Sequence, residues 1–168
     1  MTATPKYNFS SMSVLILDDT AFFRRVVVEM CQAFGFGRIK NVGSPVEALE
    51  LLEKNTFDFV VLDYQMEPLD GIQVTKMIRR SPGTNTIYVP IIMMTGRSDK
   101  STLKAALEAG VTDFVAKPLS PKTLLARFTS VIDKPKPFIR TSDYFGPDHR
   151  LTCELFGLAR TADTVALD

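Results

Sequence analysis

Residues Phe57 to Gly71 read FDFVVLDYQMEPLDG, and the fold turns on how this stretch is understood. The apolar, β-branched run FVVL has the character of a strand buried on both faces. It runs straight into Asp63, with Glu67 and Asp70 close behind. A carboxylate at the end of a buried strand needs a reason, and a site at the edge of the sheet supplies one.

On either side, short apolar runs alternate with stretches of helical period. SVLIL (Ser13 to Leu17) reads as a buried strand. From Thr20 follows TAFFRRVVVEMCQAFGF, where Phe22, Phe23, Val26, Val27, Met30 and Phe34 fall at helical spacing and Gly35 and Gly37 close the element. RIKNV is a short second strand. SPVEALELLEKN opens with Ser44 as N-cap, Pro45 at the first helical position and Glu47 three residues after the cap. FDFVVL is the third strand, and GIQVTKMIRR is helical until Pro82. IYVPIIMMT reads as a fourth strand, with Pro90 early enough to be tolerated. SDKSTLKAALEAG is a capped helix ending on Gly110. DFVA is a fifth strand, and SPKTLLARFTSVI a fifth helix with serine then proline at its start. Five apolar strands alternating with five helices predict an α/β fold with a parallel sheet covered on both faces.

In such sheets, sites form at the carboxyl ends of the strands. There the first strand presents Asp18 and Asp19, the third Asp63, the fourth Thr95 and the fifth Lys117. Each alone has a plain explanation: the aspartate pair caps a helix, Asp63 makes an Asx-turn, Thr95 ends a strand and Lys117 is solvated. Together they converge on one edge. Three neighbouring carboxylates repel unless something positive sits among them. A hard divalent cation takes oxygen ligands and leaves positions for water and a phosphoryl oxygen. Lys117 offers a compact charge and Thr95 a hydroxyl. Asp63, alone on its strand, is the natural phosphoryl acceptor; Asp18 and Asp19 are the natural metal holders.

Composition sets the outer bounds. The chain has 168 residues, 45% hydrophobic and 23% charged, with a net charge of +1. One domain with an ordinary core is expected. The near-neutral balance favours neither nucleic acid nor an anionic membrane. Cys31 and Cys153 form no disulfide framework, which fits a reducing cytoplasm. No signal-peptide pattern opens MTATPKYNFSSM, and no apolar run has the length of a membrane span. Met93 and Met94 read as core filling, Cys31 as a small buried hydrophobe, and His149, the sole histidine, as neither a metal ligand nor a catalytic group.

LILDDT, VVLDYQMEPLDG, IIMMTG and DFVAKPL, in that order, resemble the four signatures of response-regulator receiver domains, the phosphoacceptor partners of histidine kinases. The resemblance runs from about Met12 to Asp133. It implies a flavodoxin-like doubly wound (βα)5 fold with strand order 2-1-3-4-5 and a C-terminal extension. Asp63 would be the phosphoacceptor, and Asp18, Asp19, Asp63 and the Gln65 backbone carbonyl would hold Mg²⁺ or Mn²⁺. Thr95 and Lys117 would contact the phosphoryl group, Thr95 and Phe114 would form the switch, and Lys117–Pro118 would be cis. A histidine kinase or histidine phosphotransfer protein would be the donor. A downstream protein would bind the face made by the fourth helix, fifth strand and fifth helix.

The sequence departs from the family pattern in places. The proline after the acceptor comes one position late, at Pro68, behind Glu67. Gln65 and Arg97 hold the two variable positions that influence phosphoryl lifetime in this family. Glu67 adds negative charge, Gly96 leaves access to Asp63, and Arg97 is a candidate partner for the phosphoryl group or Glu67. Phe114 replaces the common tyrosine and keeps its ring without the hydroxyl.

The organisation expected is an N-terminal extension over 1–11, a receiver over 12–133 and a C-terminal arm over 134–168. The arm, KPKPFIRTSDYFGPDHR and beyond, reads as extended, with Phe138, Ile139, Tyr144 and Phe145 as anchors. It resembles the YFGPD arms of some stand-alone alphaproteobacterial receivers. Leu151, Leu155, Leu158 and Ala162 lie at helical spacing and offer a short docking helix, with a frayed terminus as the alternative.

The leading expectation is therefore a cytoplasmic single-domain response regulator, not an enzyme beyond self-catalysed phosphoryl acceptance and slow autodephosphorylation. A phosphate sink and a non-switching docking receiver are the alternatives. A small Mg²⁺-dependent phosphatase with an aspartyl-phosphate intermediate would need an acid two residues after its nucleophile, where this chain has Thr20. An FMN protein of similar topology would need a Ser/Thr/Gly-rich phosphate loop where two aspartates stand.

Overall fold

The structure is a computed structural model that describes residues 6–81, 84–97, 99–150 and 165–166. The body comprises β1 (Ser13–Leu17), α1 (Ala21–Phe34), β2 (Arg38–Val42), α2 (Pro45–Lys54), β3 (Phe59–Asp63), α3 (Gly71–Arg79), β4 (Ile91–Thr95), α4 (Lys100–Ala109), β5 (Asp113–Ala116) and α5 (Pro121–Asp133). The five strands form one sheet in the order β2-β1-β3-β4-β5, all neighbours parallel. This is the doubly wound order that the sequence resemblance implies.

Strand alternation divides the core in two. Leu15, Leu17, Val60, Leu62, Ile91 and Met93 point to one face, where Ala48, Leu52, Val74, Ile78 and Ala106 from α2, α3 and α4 cover them. Val14, Ile16, Phe59, Val61, Ile92, Met94 and Val115 point to the other, against Val27 and Cys31 of α1 and Leu124 and Phe128 of α5. Successive residues of a strand face opposite sides, so β3 and β4 are buried along their whole length. The second core centres on aromatic rings. Phe128 stands 4.9 Å from Phe59 and 5.0 Å from Phe36, and Phe9 stacks on Phe36 at 4.7 Å. Phe9 thus brings the extension before residue 12 into the core, and Tyr7 and Lys6 both donate to Asp133 at the end of α5.

Local structure departs from the sequence expectation in three places. The fourth strand begins at Ile91, after Pro90; Asn85–Tyr88 is a 3-10 turn. The cause is Arg79, whose Nη1 donates to the carbonyls of Ile87 and Val89 (2.7 Å each) and so satisfies acceptors a strand would have paired. Phe22 and Phe23 do not join the core; they are 70% and 46% exposed, because the buried stripe of α1 runs through Val27 and Cys31. Ser44 stands at the N-cap of α2, but its side chain makes no cap hydrogen bond.

Beyond α5 the extended arm is ordered into β6 (Phe138–Arg140) and β7 (Phe145–Pro147), an antiparallel pair, with β8 (Val165–Ala166) on the other side of β6. Phe138 and Phe145 pack their rings on Tyr88 at 5.2 and 5.6 Å, and the Arg79 guanidinium lies over Phe138. Lys136 Nζ donates to the Thr112 carbonyl (3.1 Å), and the buried His149 bonds through Nε2 to the Val111 carbonyl. These contacts seat the hairpin at the amino ends of β4 and β5, away from the carboxyl edge. The helical spacing of Leu151, Leu155, Leu158 and Ala162 lies outside the described residues.

Candidate functional site

Parallel register brings the strand-end residues level. Leu17 pairs with Leu62, Asp63 with Met94, and Thr95 with Ala116, so Asp18, Asp63, Thr95 and Lys117 surround one crevice. The loop after β3 is held close: the Gly71 N–H donates to the Tyr64 carbonyl (2.9 Å), and any Cβ on Gly71 would collide with the Asp63 carbonyl oxygen. Glycine is required there by close approach alone. Glu67–Pro68 and Lys117–Pro118 are both cis; the resemblance implies the second, whereas the first accompanies the displaced proline. Asp70 is not an acid of the site. It caps α3, accepting from the Gln73 N–H (2.8 Å) while the Gln73 side chain accepts from the Asp70 N–H.

Asp18, Asp19 and Asp63 each place a carboxylate oxygen within 4.8 Å of the others. Asp18 is fully buried, Asp63 is 5% exposed and Asp19 faces solvent. Lys117 Nζ lies 3.0 Å from Asp63 Oδ1 and 3.8 Å from Asp18 Oδ2. Asp18 Oδ1 accepts from the Thr20 N–H (2.8 Å), and Asp19 Oδ2 accepts from the Glu67 N–H (3.3 Å). Asp18 Oδ2 is buried with no hydrogen-bond partner. Burial pushes the Asp18 carboxyl above its ordinary range, and the charge of Asp63 adds to the push; the Thr20 N–H and the Lys117 ammonium pull the other way. One ammonium among three carboxylates leaves negative charge in excess. An orphaned hard oxygen beside two more carboxylates is a donor set suited to Mg²⁺ or Mn²⁺.

The other residues singled out in the sequence lie around this centre without touching it in the same way. The Thr95 hydroxyl donates to the Arg97 carbonyl (3.0 Å) and accepts from the Arg97 N–H (2.9 Å), so it is turned into its own loop. Gly96 is exposed with open space around its Cα, and Arg97 is exposed. Among the described residues no ion pair joins Arg97 to Glu67. Gln65 is exposed in the loop that follows β3. Phe114 is half-buried against the core on the α2–α4 side.

Two contacts escaped the sequence reading. Arg24 Nη1 donates to the Asp18 carbonyl (2.7 Å) and its Nε to Asn41 Oδ1 (3.2 Å), tying the β1–α1 turn to β2. The Phe23 ring lies under Lys117, with Nζ 4.8 Å from its centroid. No sequence signal separates Phe23 from the other apolar residues of α1.

Comparison with known proteins gives a consistent result. The family described as Response regulator receiver domain matches residues 14–129. Chemotaxis protein CheY-3 of Vibrio cholerae is 30% identical over 124 residues, covering 74% of this chain and 94% of that protein. Among solved structures, chemotaxis response regulator CheY4 of Vibrio cholerae superposes with a TM-score of 0.66 at 27% identity, covering 71% of this chain and 98% of that one. The receiver domain of sensor histidine kinase PA1611 from Pseudomonas aeruginosa, described with a magnesium ion coordinated in the active site cleft, gives 0.63 at 27% identity, covering 71% and 94%.

Proposed function

The chain belongs to the response regulator receiver domain family, and from that premise we propose that Asp63 accepts a phosphoryl group from a phosphohistidine donor and that the acyl phosphate switches a protein-binding face. A CheY-like receiver acts in two-component signalling as a non-enzymatic partner of histidine kinases and downstream targets. The finer assignment rests on one observation above the rest: Lys117 Nζ at 3.0 Å from Asp63 Oδ1, beside a buried Asp18 oxygen that has no hydrogen-bond partner.

In the transfer, an Asp63 oxygen attacks phosphorus, the P–N bond to the donor imidazole breaks, and the imidazole takes up a proton as it leaves. Lys117 is placed to follow the charge that moves onto the phosphoryl oxygens. Asp18, Asp19, Asp63 and the Gln65 carbonyl would hold Mg²⁺ or Mn²⁺, which supplies neutralisation of phosphoryl charge during transfer. Thr95 exchanges its bonds to Arg97 for the new phosphoryl oxygens, and Phe114 moves with it. The α4–β5–α5 face then changes what it binds, a population shift driven by a local charge. Gln65, Glu67, Gly96 and Arg97 line the approach and set the lifetime of the phosphoryl group. The free thiol of Cys31 fits a cytoplasmic setting, and among the described residues no helix is long and apolar enough to cross a membrane.

Intact mass after incubation with Mg²⁺ and acetyl phosphate tests the proposal directly. A single phosphoryl adduct, absent with EDTA and absent from Asp63→Asn, is expected. An adduct that persists in Asp63→Asn would place the acceptor elsewhere. No adduct, together with no beryllofluoride binding in the presence of Mg²⁺, would mark a receiver that docks without switching.

A further inference from the structure

The first turn of α1 stands at the carboxyl edge of the sheet and carries two large exposed rings. Phe22 is 70% and Phe23 46% exposed, and neither contributes to the cores beneath. Their arrangement is specific nonetheless. The rings meet edge to face at 5.5 Å, and the Phe23 ring faces the ammonium of Lys117, whose side chain is only 21% exposed. Lys117 is therefore held from two sides: by the carboxylates of Asp63 and Asp18 at 3.0 and 3.8 Å, and by the Phe23 ring at 4.8 Å.

A lysine side chain is a flexible stem ending in a strongly hydrated point charge. Left to carboxylates alone, it samples conformations that turn the ammonium into water. The negative face of an aromatic ring attracts the ammonium and, being apolar, competes poorly for the water that would draw it away. The edge-to-face contact with Phe22 limits the freedom of the Phe23 ring in turn.

We propose that Phe23 is a positioning residue for the phosphoryl chemistry of this site, acting through Lys117. Its ring keeps the ammonium over Asp63 Oδ1, so that the charge that must follow the phosphoryl oxygens is in place before the donor arrives. This deepens the reading of Asp63 as acceptor and rests on it.

The test replaces Phe23 in the full-length protein by leucine, tyrosine, tryptophan and a trifluorinated phenylalanine. The last keeps the ring's shape and flattens its quadrupole. The readout is the rate of adduct formation by intact mass at saturating Mg²⁺ over a range of acetyl phosphate concentrations. The leucine and trifluorinated variants should lose about two- to fivefold in rate, the span expected of a solvent-accessible cation–π contact. Phe23→Tyr and Phe23→Trp should stay near wild type. In a Lys117→Ala background, Phe23→Leu should have no further effect. Independently of phosphorylation, the ε-methylene signals of Lys117 should carry a ring-current displacement that Phe23→Leu removes. Equal rates for wild type and the trifluorinated variant, or a full Phe23→Leu effect without Lys117, would overturn the proposal. A wild type that forms no adduct and binds no beryllofluoride with Mg²⁺ would overturn the acceptor reading and the positioning role with it, and a surviving ring-current displacement would then mark the contact as purely structural.

Discussion

A single buried oxygen stands apart at the candidate site. Asp18 Oδ2 has no hydrogen-bond partner, and its carboxyl is pushed toward the protonated form by burial and then by Asp63. A neighbouring charge of the same sign and a missing partner both oppose folding in the absence of metal. Asp18→Asn replaces one acceptor with an amide donor that the adjacent carboxylates can use. In EDTA it should raise stability by about 1 kcal/mol, the scale of relieving one unsatisfied buried polar group. It should also abolish most of the stabilisation that Mg²⁺ confers on wild type. Urea denaturation of both proteins with and without Mg²⁺ checks this; an Asp18→Asn protein as responsive to Mg²⁺ as wild type would remove Asp18 from the metal site. Acidification acts in the same direction. Because the folded-state carboxyl titrates above its ordinary range, lowering the pH toward that range protonates Asp18 in the folded chain before the unfolded one and relieves its charge.

The elements show how far serine-proline starts can be trusted. Ser44-Pro45 and Ser120-Pro121 read alike in the sequence, yet they differ in structure. Ser120 Oγ accepts from the Thr123 N–H (3.2 Å) in a reciprocal box, whereas Ser44 makes no cap hydrogen bond. Ser120→Ala should therefore cost about 1 kcal/mol, the usual value of an N-cap hydrogen bond. Ser44→Ala should cost no more than about 0.5 kcal/mol, as for a surface substitution that breaks no such feature. Equal losses in the two variants would show that the cap bond of α5 contributes nothing. Asp99 supplies a third case: its carboxylate accepts from the Ser101 hydroxyl first, then from the Thr102 hydroxyl and N–H, and these bonds hold its pKa down to about 2. The cap of α4 consequently stays charged through the physiological range.

At the scale of the whole molecule, the arm and the body are joined through His149. Its ring is buried, bonded through Nε2 to the Val111 carbonyl and through Nδ1 to Lys136 Nζ (3.3 Å). With an ammonium donating to Nδ1, the ring is neutral with its proton on Nε2. Burial first, and the Lys136 charge second, lower its pKa to about 3 from an ordinary 6.5. The unfolded chain thus binds a proton between those values that the folded chain refuses. The associated stability is complete above pH 6.5 and is lost as pH falls toward 3, with a slope of up to about 1.4 kcal/mol per pH unit. His149→Gln should be less stable than wild type at pH 7.5, and the gap should narrow steadily below pH 6.5. Urea midpoints across that interval decide the matter; a constant gap would mean that His149 is protonated in the folded state.

The five strands and five helices of the body, their alternation and the edge at which the acidic and basic groups gather were legible in the chain, whereas the strands of the arm were not. A buried parallel strand is a continuous apolar run, and a carboxylate at its end stands out against it. The acidic and basic residues at the ends of β1, β3, β4 and β5 could be assembled in advance because parallel connections put every carboxyl end on the same side. Other features belong to the tertiary structure alone. The strand-like IYV segment became a 3-10 turn because Arg79, a side chain of another element, took its carbonyls. Phe22 and Phe23 left the core because the buried stripe of α1 is set by what it packs against, and helical spacing alone does not say which face that is. Phe23 met a lysine by distance in space, whereas the Asp70 cap of α3 is a local box with Gln73 three residues on that the sequence carries. The arm folded on Tyr88 and Val111, where the anchors that its sequence displayed found rings and carbonyls contributed by distant segments. Local pattern records what a segment can bury; only the packed molecule decides which neighbour it meets.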